Sequence, residues 1–406
     1  VFCPLIGGDY LETITVLFII KSSALNRGMN TGLENLAWGL AERGIKVHIL
    51  SGGCKPDYHS YKIPKNVTYY FTGFAGNPES FTDRYLEITR KESLDAVIGW
   101  IKNIAPLTHL KMKHNNKPIF IANQGSMTHI KFTGWMPLLF GVSLIKKIQN
   151  GMNLSNALSI LMDKSKYYSR IDKIISISRT VQANSIDSYR VNPSKCSVIP
   201  RGIDIDLFWF KNRNYTIINR PARILYAGNV IESKGVGDLV DAVAYIKTPI
   251  DLIFCGNGNQ GYFDSLKNGF KPLNRETTIS FLGALKQKEL ITQYQRCDIF
   301  VFPSRGEGLG KVLLEAMACG CPVVVSDISP FKEIIIPQIN GLMVPVRSPE
   351  KLAHAIQDFI ADPELCAVCS INARKTIETR FSKKAEIDQW YKIIFDSIEC
   401  HECVDA

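Results

Sequence analysis

Twice along the chain, short runs of β-branched and aromatic residues alternate with stretches whose apolar residues recur at helical spacing. A polar, irregular segment separates the two series. Such alternation points to parallel strands with helices on both faces, because a parallel crossover needs a helix to return the chain. In the first series, strands are expected at 14–20, 46–50, 95–100, 117–123, 172–178 and 196–200, with a helix over 30–44 that stops at Gly44. In the second they are expected at 223–229, 250–258, 278–283, 298–304, 321–326 and 341–346, with a helix over roughly 235–247. Residues 201–222 read as the linker, and residues 1–12 as an extension before the first strand. The expected architecture is α/β: two doubly wound Rossmann-like domains, 1–200 and 223–382, facing an interdomain cleft. A last amphipathic helix over 383–406, carrying Trp390, Tyr391, Ile394 and Phe395, is expected to pack back toward the first domain. Ligands of doubly wound sheets sit beyond the carboxyl ends of the strands, so two such sheets imply a binding cleft between them.

The 406 residues suit two domains, and 46% hydrophobic with 21% charged residues describes a globular chain with real cores. A net charge of +10 favours an acidic partner: a nucleotide diphosphate, an anionic lipid surface or nucleic acid. Nucleic acid is set aside, since no aromatic-basic binding module is found. The longest apolar runs, 14–20 and 135–145, fall short of the ~18 residues of a membrane span. Eleven cysteines lie scattered without a disulfide rhythm, which suggests a reducing compartment. With no clear secretory signal, a cytoplasmic location is expected. The CxxC pairs Cys366/Cys369 and Cys400/Cys403 lie too far apart in sequence for a zinc site, and no metal is expected.

The chemistry concentrates in PSRGEGLGKVLLEAMACGCPVV, from Pro303 to Val324. A strand delivers the chain to its carboxyl end, a glycine-rich turn follows, and a helix begins. Helix N-termini present unpaired N–H groups and positive partial charge, and glycines let a ligand approach that backbone closely. The turn is therefore a phosphate cradle, with Lys311 adding charge. Glu307 before the helix and Glu315 within it cannot serve phosphates, but carboxylates accept hydrogen bonds from sugar hydroxyls. Phosphates in the middle and hydroxyls at both ends describe a nucleotide sugar. Lys234, followed by Gly235 after a strand, suits stabilisation of a departing diphosphate.

These segments resemble the retaining glycosyltransferases of family 4, which have the GT-B fold. The likeness covers about residues 14–395 and includes SVIPRGIDIDLF (197–208), YAGNVIESKGVGDLVDA (226–242) and INGLMVPVRSPEKLAHAI (339–356). The resemblance implies an acceptor-binding first domain and a nucleotide-sugar-binding second domain. It implies that Glu315 binds the ribose. Glu307 and the backbone of Gly308, Leu309, Gly310 and Lys311 then hold the transferred sugar and its phosphate, and Lys234 neutralises the diphosphate. Lys234 and Glu307 are the expected catalytic pair. The loop RGMN (27–30) matches the family's glycine loop, which turns the backbone of Gly28 toward the diphosphate. No metal and no cofactor are implied, so the DID at 204–206 is read as linker.

Two positions depart from the family pattern. Asn229 stands where an arginine is usual, leaving one charge to be supplied by Arg201 or Arg305. Gln124 stands before Gly125 where a histidine is often found, and it can still bond the sugar. On the acceptor side, no acidic residue occurs from Ala96 to Met162, while Lys102, Lys111, Lys113, Lys117, Lys131, Lys146 and Lys147 do. With Trp135 and Phe140 nearby, residues 102–150 read either as a surface for an anionic membrane or as a core helix with a basic face. The expected function is a retaining transfer of a hexose from a nucleotide diphosphate sugar to an acceptor hydroxyl of a glycan or lipid-linked glycan. UDP is named first, with GDP and ADP sugars left open. A nucleotide-sugar epimerase and a non-catalytic nucleotide-sugar-binding protein are the alternatives.

Overall fold

The computed structural model describes residues 14–20, 31–52, 63–72, 78–100, 104, 107, 118–124, 168, 170–211, 213, 215–217 and 219–405. Gly28 and nearly all of the basic stretch 102–150 lie outside them.

The first sheet contains β1 (Thr15–Ile20), β2 (Lys46–Ser51), β3 (Val67–Phe71), β4 (Ala96–Trp100), β5 (Ile119–Gln124), β6 (Lys173–Ser176) and β7 (Cys196–Val198). All its pairings are parallel, in the order β3-β2-β1-β4-β5-β6-β7. The second sheet contains β8 (Ala222–Ala227), β9 (Ile250–Cys255), β10 (Thr278–Phe281), β11 (Ile299–Phe302), β12 (Val323–Ser326) and β13 (Leu342–Val344). It too is parallel, in the order β10-β9-β8-β11-β12-β13. Central strands such as β1 and β11 are buried throughout, because helices cover both faces and leave no polar side for alternation.

In the second sheet the order reverses between β8 and β11. The chain leaves β8 toward β9 and leaves β11 toward β12, so the two exits diverge and open a crevice at their carboxyl ends. The segments carrying Lys234 and Glu307 follow β8 and β11 respectively. The fold therefore places them on either side of this switch point.

Several boundaries differ from the sequence reading. The helix expected over 235–247 is α-helical only over Val236–Ala242 and tightens to a 3-10 turn over Val243–Tyr245. β3 was not anticipated: an edge strand, half exposed along VTYYF, lacks the buried apolar run that marks its neighbours. The segment expected as a polar linker contributes to the second core, with Ile203 and Phe208 buried in it. The Lys383–Asp405 helix places Ile387, Trp390 and Ile394 in the core that includes β1 and the Thr31–Ala41 helix. A Cβ on Gly39 would lie 2.2 Å from the end of Ile387, so the helices meet where glycine leaves space. Arg43 and Asp388 pair beside this contact.

Candidate active site

β11 ends at Phe302 and leads through buried Ser304 into the turn that precedes the Lys311–Ala318 helix. Gly310 starts that helix with φ +92°, a left-handed conformation that favours glycine. A Cβ there would come within 2.7 Å of the Phe331 ring. No side chain caps this helix end. Its first N–H groups are thus left for an external acceptor, as an anion site requires.

Glu315 lies one turn into the helix and is only 4% exposed. Lys311 Nζ pairs with its Oε1 at 3.0 Å, and the Tyr294 hydroxyl donates to its Oε2 at 3.1 Å. Burial, then the charge of Glu315, pushes the Tyr294 phenol well above its usual value, which keeps it a donor. Each carboxylate oxygen accepts one bond here and has a second lone pair to offer.

Across the switch point, Lys234 Nζ meets Glu307 Oε1 at 2.5 Å. Gly235 holds the turn after Lys234 with φ +66°, and a Cβ on it would fall 1.9 Å from the Pro303 carbonyl oxygen. This close approach brings the two loops together. Arg305 does not fill the place left by Asn229. Its guanidinium is paired with Asp238 at 2.9 Å and Glu232 at 3.2 Å. Arg201 lies 3.9 Å from Glu386 and packs against Gly32.

The first sheet brings Gln124 to the end of β5, 8% exposed, where its Oε1 accepts from the Ser185 hydroxyl at 2.6 Å. Ser185 belongs to the Arg179–Tyr189 helix, which Ser178 caps. The Ser178 hydroxyl also donates to the carbonyl of Gly308 at 2.6 Å, so the start of this helix touches the glycine turn of the second domain directly. Glu333 closes the same junction, accepting from the N–H groups of Arg179 and Thr180 at 2.9 and 3.0 Å.

The structure thus brings together Lys234, Glu307 and the turn Gly308–Lys311, with Glu315 in the helix behind the turn. Asn229 follows β8, and its carbonyl accepts from the Tyr226 hydroxyl at 2.7 Å. Tyr294, Ser178 and Glu333 were not found from the sequence. Tyr294 shows there only as an aromatic on an amphipathic helix, and Ser178 only as the polar end of a strand. Among the described residues no group of His, Cys, Asp and Glu is arranged to hold a metal ion. The Cys366/Cys369 pair is buried in the Pro363–Arg380 helix.

Residues 26–207 match the family described as Glycosyltransferase Family 4, and residues 208–376 match that described as Glycosyl transferases group 1. An uncharacterized glycosyltransferase from Methanocaldococcus jannaschii is 28% identical over 366 residues, covering 87% of this chain and 90% of its own. The N-acetylgalactosamine-N,N'-diacetylbacillosaminyl-diphospho-undecaprenol 4-alpha-N-acetylgalactosaminyltransferase of Campylobacter jejuni is 26% identical over 252 residues, or 61% of this chain and 66% of its own. Among solved structures, Anabaena HepE in complex with UDP and glucose superposes with a TM-score of 0.69 at 18% identity, covering 94% of this chain and 100% of that one.

Proposed function

From a chain that belongs to the family 4 glycosyltransferases and has their GT-B fold, we propose a retaining hexosyltransferase that uses a nucleotide diphosphate sugar, with UDP as the nucleotide. The observation that carries this reading is the pairing of an uncapped helix start with two carboxylates held ready on either side of it. In this reading the diphosphate docks on the N–H groups of the turn Gly308–Lys311, and Glu315 accepts from the ribose hydroxyls. Glu307 and Gln124 face the sugar. Lys234 exchanges Glu307 for the diphosphate, where its charge stabilises the leaving group most as the glycosidic bond breaks. The acceptor oxygen bonds to the anomeric carbon on the face the phosphate leaves, and the departing phosphate oxygen takes the acceptor proton. Lysine and helix N-terminus supply the positive charge, so the reaction is proposed to proceed without a metal.

The UDP assignment is supported by the ligand in the HepE complex. For the acceptor we propose a glycan or lipid-linked glycan, following the Campylobacter relative, whose name specifies a diphospho-undecaprenol acceptor. The basic stretch 102–150 would then meet the anionic membrane that carries it. Among the described residues no helix is long and apolar enough to cross a membrane. A non-catalytic donor-binding role is the second reading, favoured by the commitment of Arg305 to Asp238 beside an uncharged Asn229.

Calorimetric titration with UDP, GDP and ADP, with and without EDTA, tests the donor assignment. UDP is expected to bind in both conditions, and Glu315→Ala to weaken it at least about tenfold, the loss of a charged hydrogen bond. Sugar release or transfer from the bound donor separates the enzyme from a binding protein. Failure of all three nucleotides to bind would overturn the reading.

A further inference from the structure

The donor cleft occupies the carboxyl ends of the second sheet. At the opposite edge, where β8 and β11 begin, lies a second cavity of about 440 Å³. It is lined by Lys211, Arg213, Arg220, Arg223 and Arg296, with Asp298 as its one carboxylate. That carboxylate is already used: it is bidentate to Arg220 at 2.6 and 2.8 Å and accepts from the Arg223 N–H at 2.8 Å. The other four cations have no carboxylate partner among the described residues. Arg213 turns inward and spends its terminal nitrogens on the carbonyls of Tyr294, Cys297 and Cys319.

Three donors of the lining are also left over. Arg213 Nε, Arg223 Nε and Gln295 Nε2 are buried and bond nothing in the described structure. Buried donors are ordinarily paired, so three orphans just behind the wall of one cationic cavity are donors that a turn of these lining side chains would offer to an entering acceptor. Arginine forks match the oxygens of phosphate in number and direction. Ile217, Ile299 and Phe359 give the same cavity an apolar wall, and its size is that of a small-metabolite pocket.

We infer that this cavity binds a small organic phosphate, its phosphoryl group among Arg223, Arg296 and Gln295 and its organic body against the apolar wall. The site also has a route to the donor cleft. Arg213 holds the Tyr294 carbonyl at 2.6 Å and the Cys319 carbonyl at 3.0 Å. The Tyr294 hydroxyl bonds Glu315, and Cys319 ends the helix on which Glu315 sits. Occupancy that shifts Arg213 therefore changes the support of Glu315, so the phosphate acts as an effector of nucleotide affinity. Binding at the cavity stands independently of the proposed function; the effector role rests on it.

The test is calorimetric titration of the full chain with glucose 6-phosphate, glycerol 3-phosphate and inorganic phosphate. The proteins compared are the parent, Lys234→Ala to disable the cleft, and the double variant Arg223→Gln/Arg296→Gln, with thermal melts to establish that each is folded. At least one organic phosphate is expected to bind the parent and Lys234→Ala alike, more tightly than inorganic phosphate. The double variant is expected to weaken it tenfold or more. Binding that survives in the double variant but is lost in Lys234→Ala would place the ligand in the cleft and overturn the inference. So would no binding by either organic phosphate, or inorganic phosphate binding equally well. UDP affinity is then measured with the phosphate saturating: a change in the parent and none in the double variant supports the effector role, and no change in the parent overturns it. If UDP fails to bind at all, the donor reading falls while the phosphate result stands.

Discussion

At the scale of single residues, the proposed site sets a lysine against the carboxylate it would leave on binding a donor. Lys234 and Glu307 satisfy one another at 2.5 Å in the free protein, so neither charge is stranded before the donor arrives. Lys234→Ala is expected to lower kcat for sugar transfer by about 10²–10³, the usual effect of removing one transition-state charge contact. Its melting temperature should stay close to that of the parent, because the pair is partly solvated. Steady-state transfer assays alongside a thermal melt check both halves. Glu307, Glu315 and Lys311 were legible in the sequence because glycines, acids and a helix start fall together within a few residues. Tyr294 was not, since its bond to Glu315 is made by tertiary packing between two helices that the sequence keeps apart. Arg305 illustrates the opposite error. Its position suggested a free charge for phosphate, but Asp238, in the first turn of the Val236–Ala242 helix, engages it.

At the scale of elements, the central strands of both sheets could be read because a parallel strand buried on two faces leaves an unbroken apolar run. β3, half exposed along VTYYF, carries no such run and escaped. The Lys383–Asp405 helix was readable through Trp390 and Ile394, but its first turn holds a feature with no sequence signal. Glu386 is 7% exposed, accepts from the Gly202 N–H at 2.8 Å, and lies 3.9 Å from Arg201. Burial pushes its carboxyl above the ordinary 4.5, against the opposing pull of Arg201 and the Gly202 N–H. A carboxyl raised in the folded state supports folding below its unfolded value and loses that support as pH rises through the folded one. Glu386→Gln keeps an acceptor for Gly202 and removes the titration. The variant is therefore expected to gain stability relative to the parent as pH increases above 4.5, seen as diverging urea midpoints over a pH series.

At the scale of the molecule, the two domains meet where Ile177 and Val181 are buried in the second core, with polar contacts beside them. Glu333 accepts from Arg179 and Thr180, and Ser178 donates to the carbonyl of Gly308 inside the glycine turn. Glu333→Ala is expected to remove about 0.5–2 kcal/mol of support from the start of the Arg179–Tyr189 helix, as loss of a capping carboxylate does. Hydrogen exchange of the Arg179 and Thr180 amides should speed up accordingly, while the core of β11 keeps its protection. Sequence reasoning could place two domains and a cleft but not this junction, since contacts across a domain boundary leave no periodicity in either partner. The return of the Lys383–Asp405 helix onto the first sheet carries a further consequence, for the order of events on the ribosome. The second sheet and its helices come from one continuous stretch of chain and can close as they are made. The core around β1, which is made before the second sheet, must wait for Ile387, Trp390 and Ile394. The half of the protein that is translated first is therefore the half that is finished last, and until then its apolar face awaits a helix not yet made.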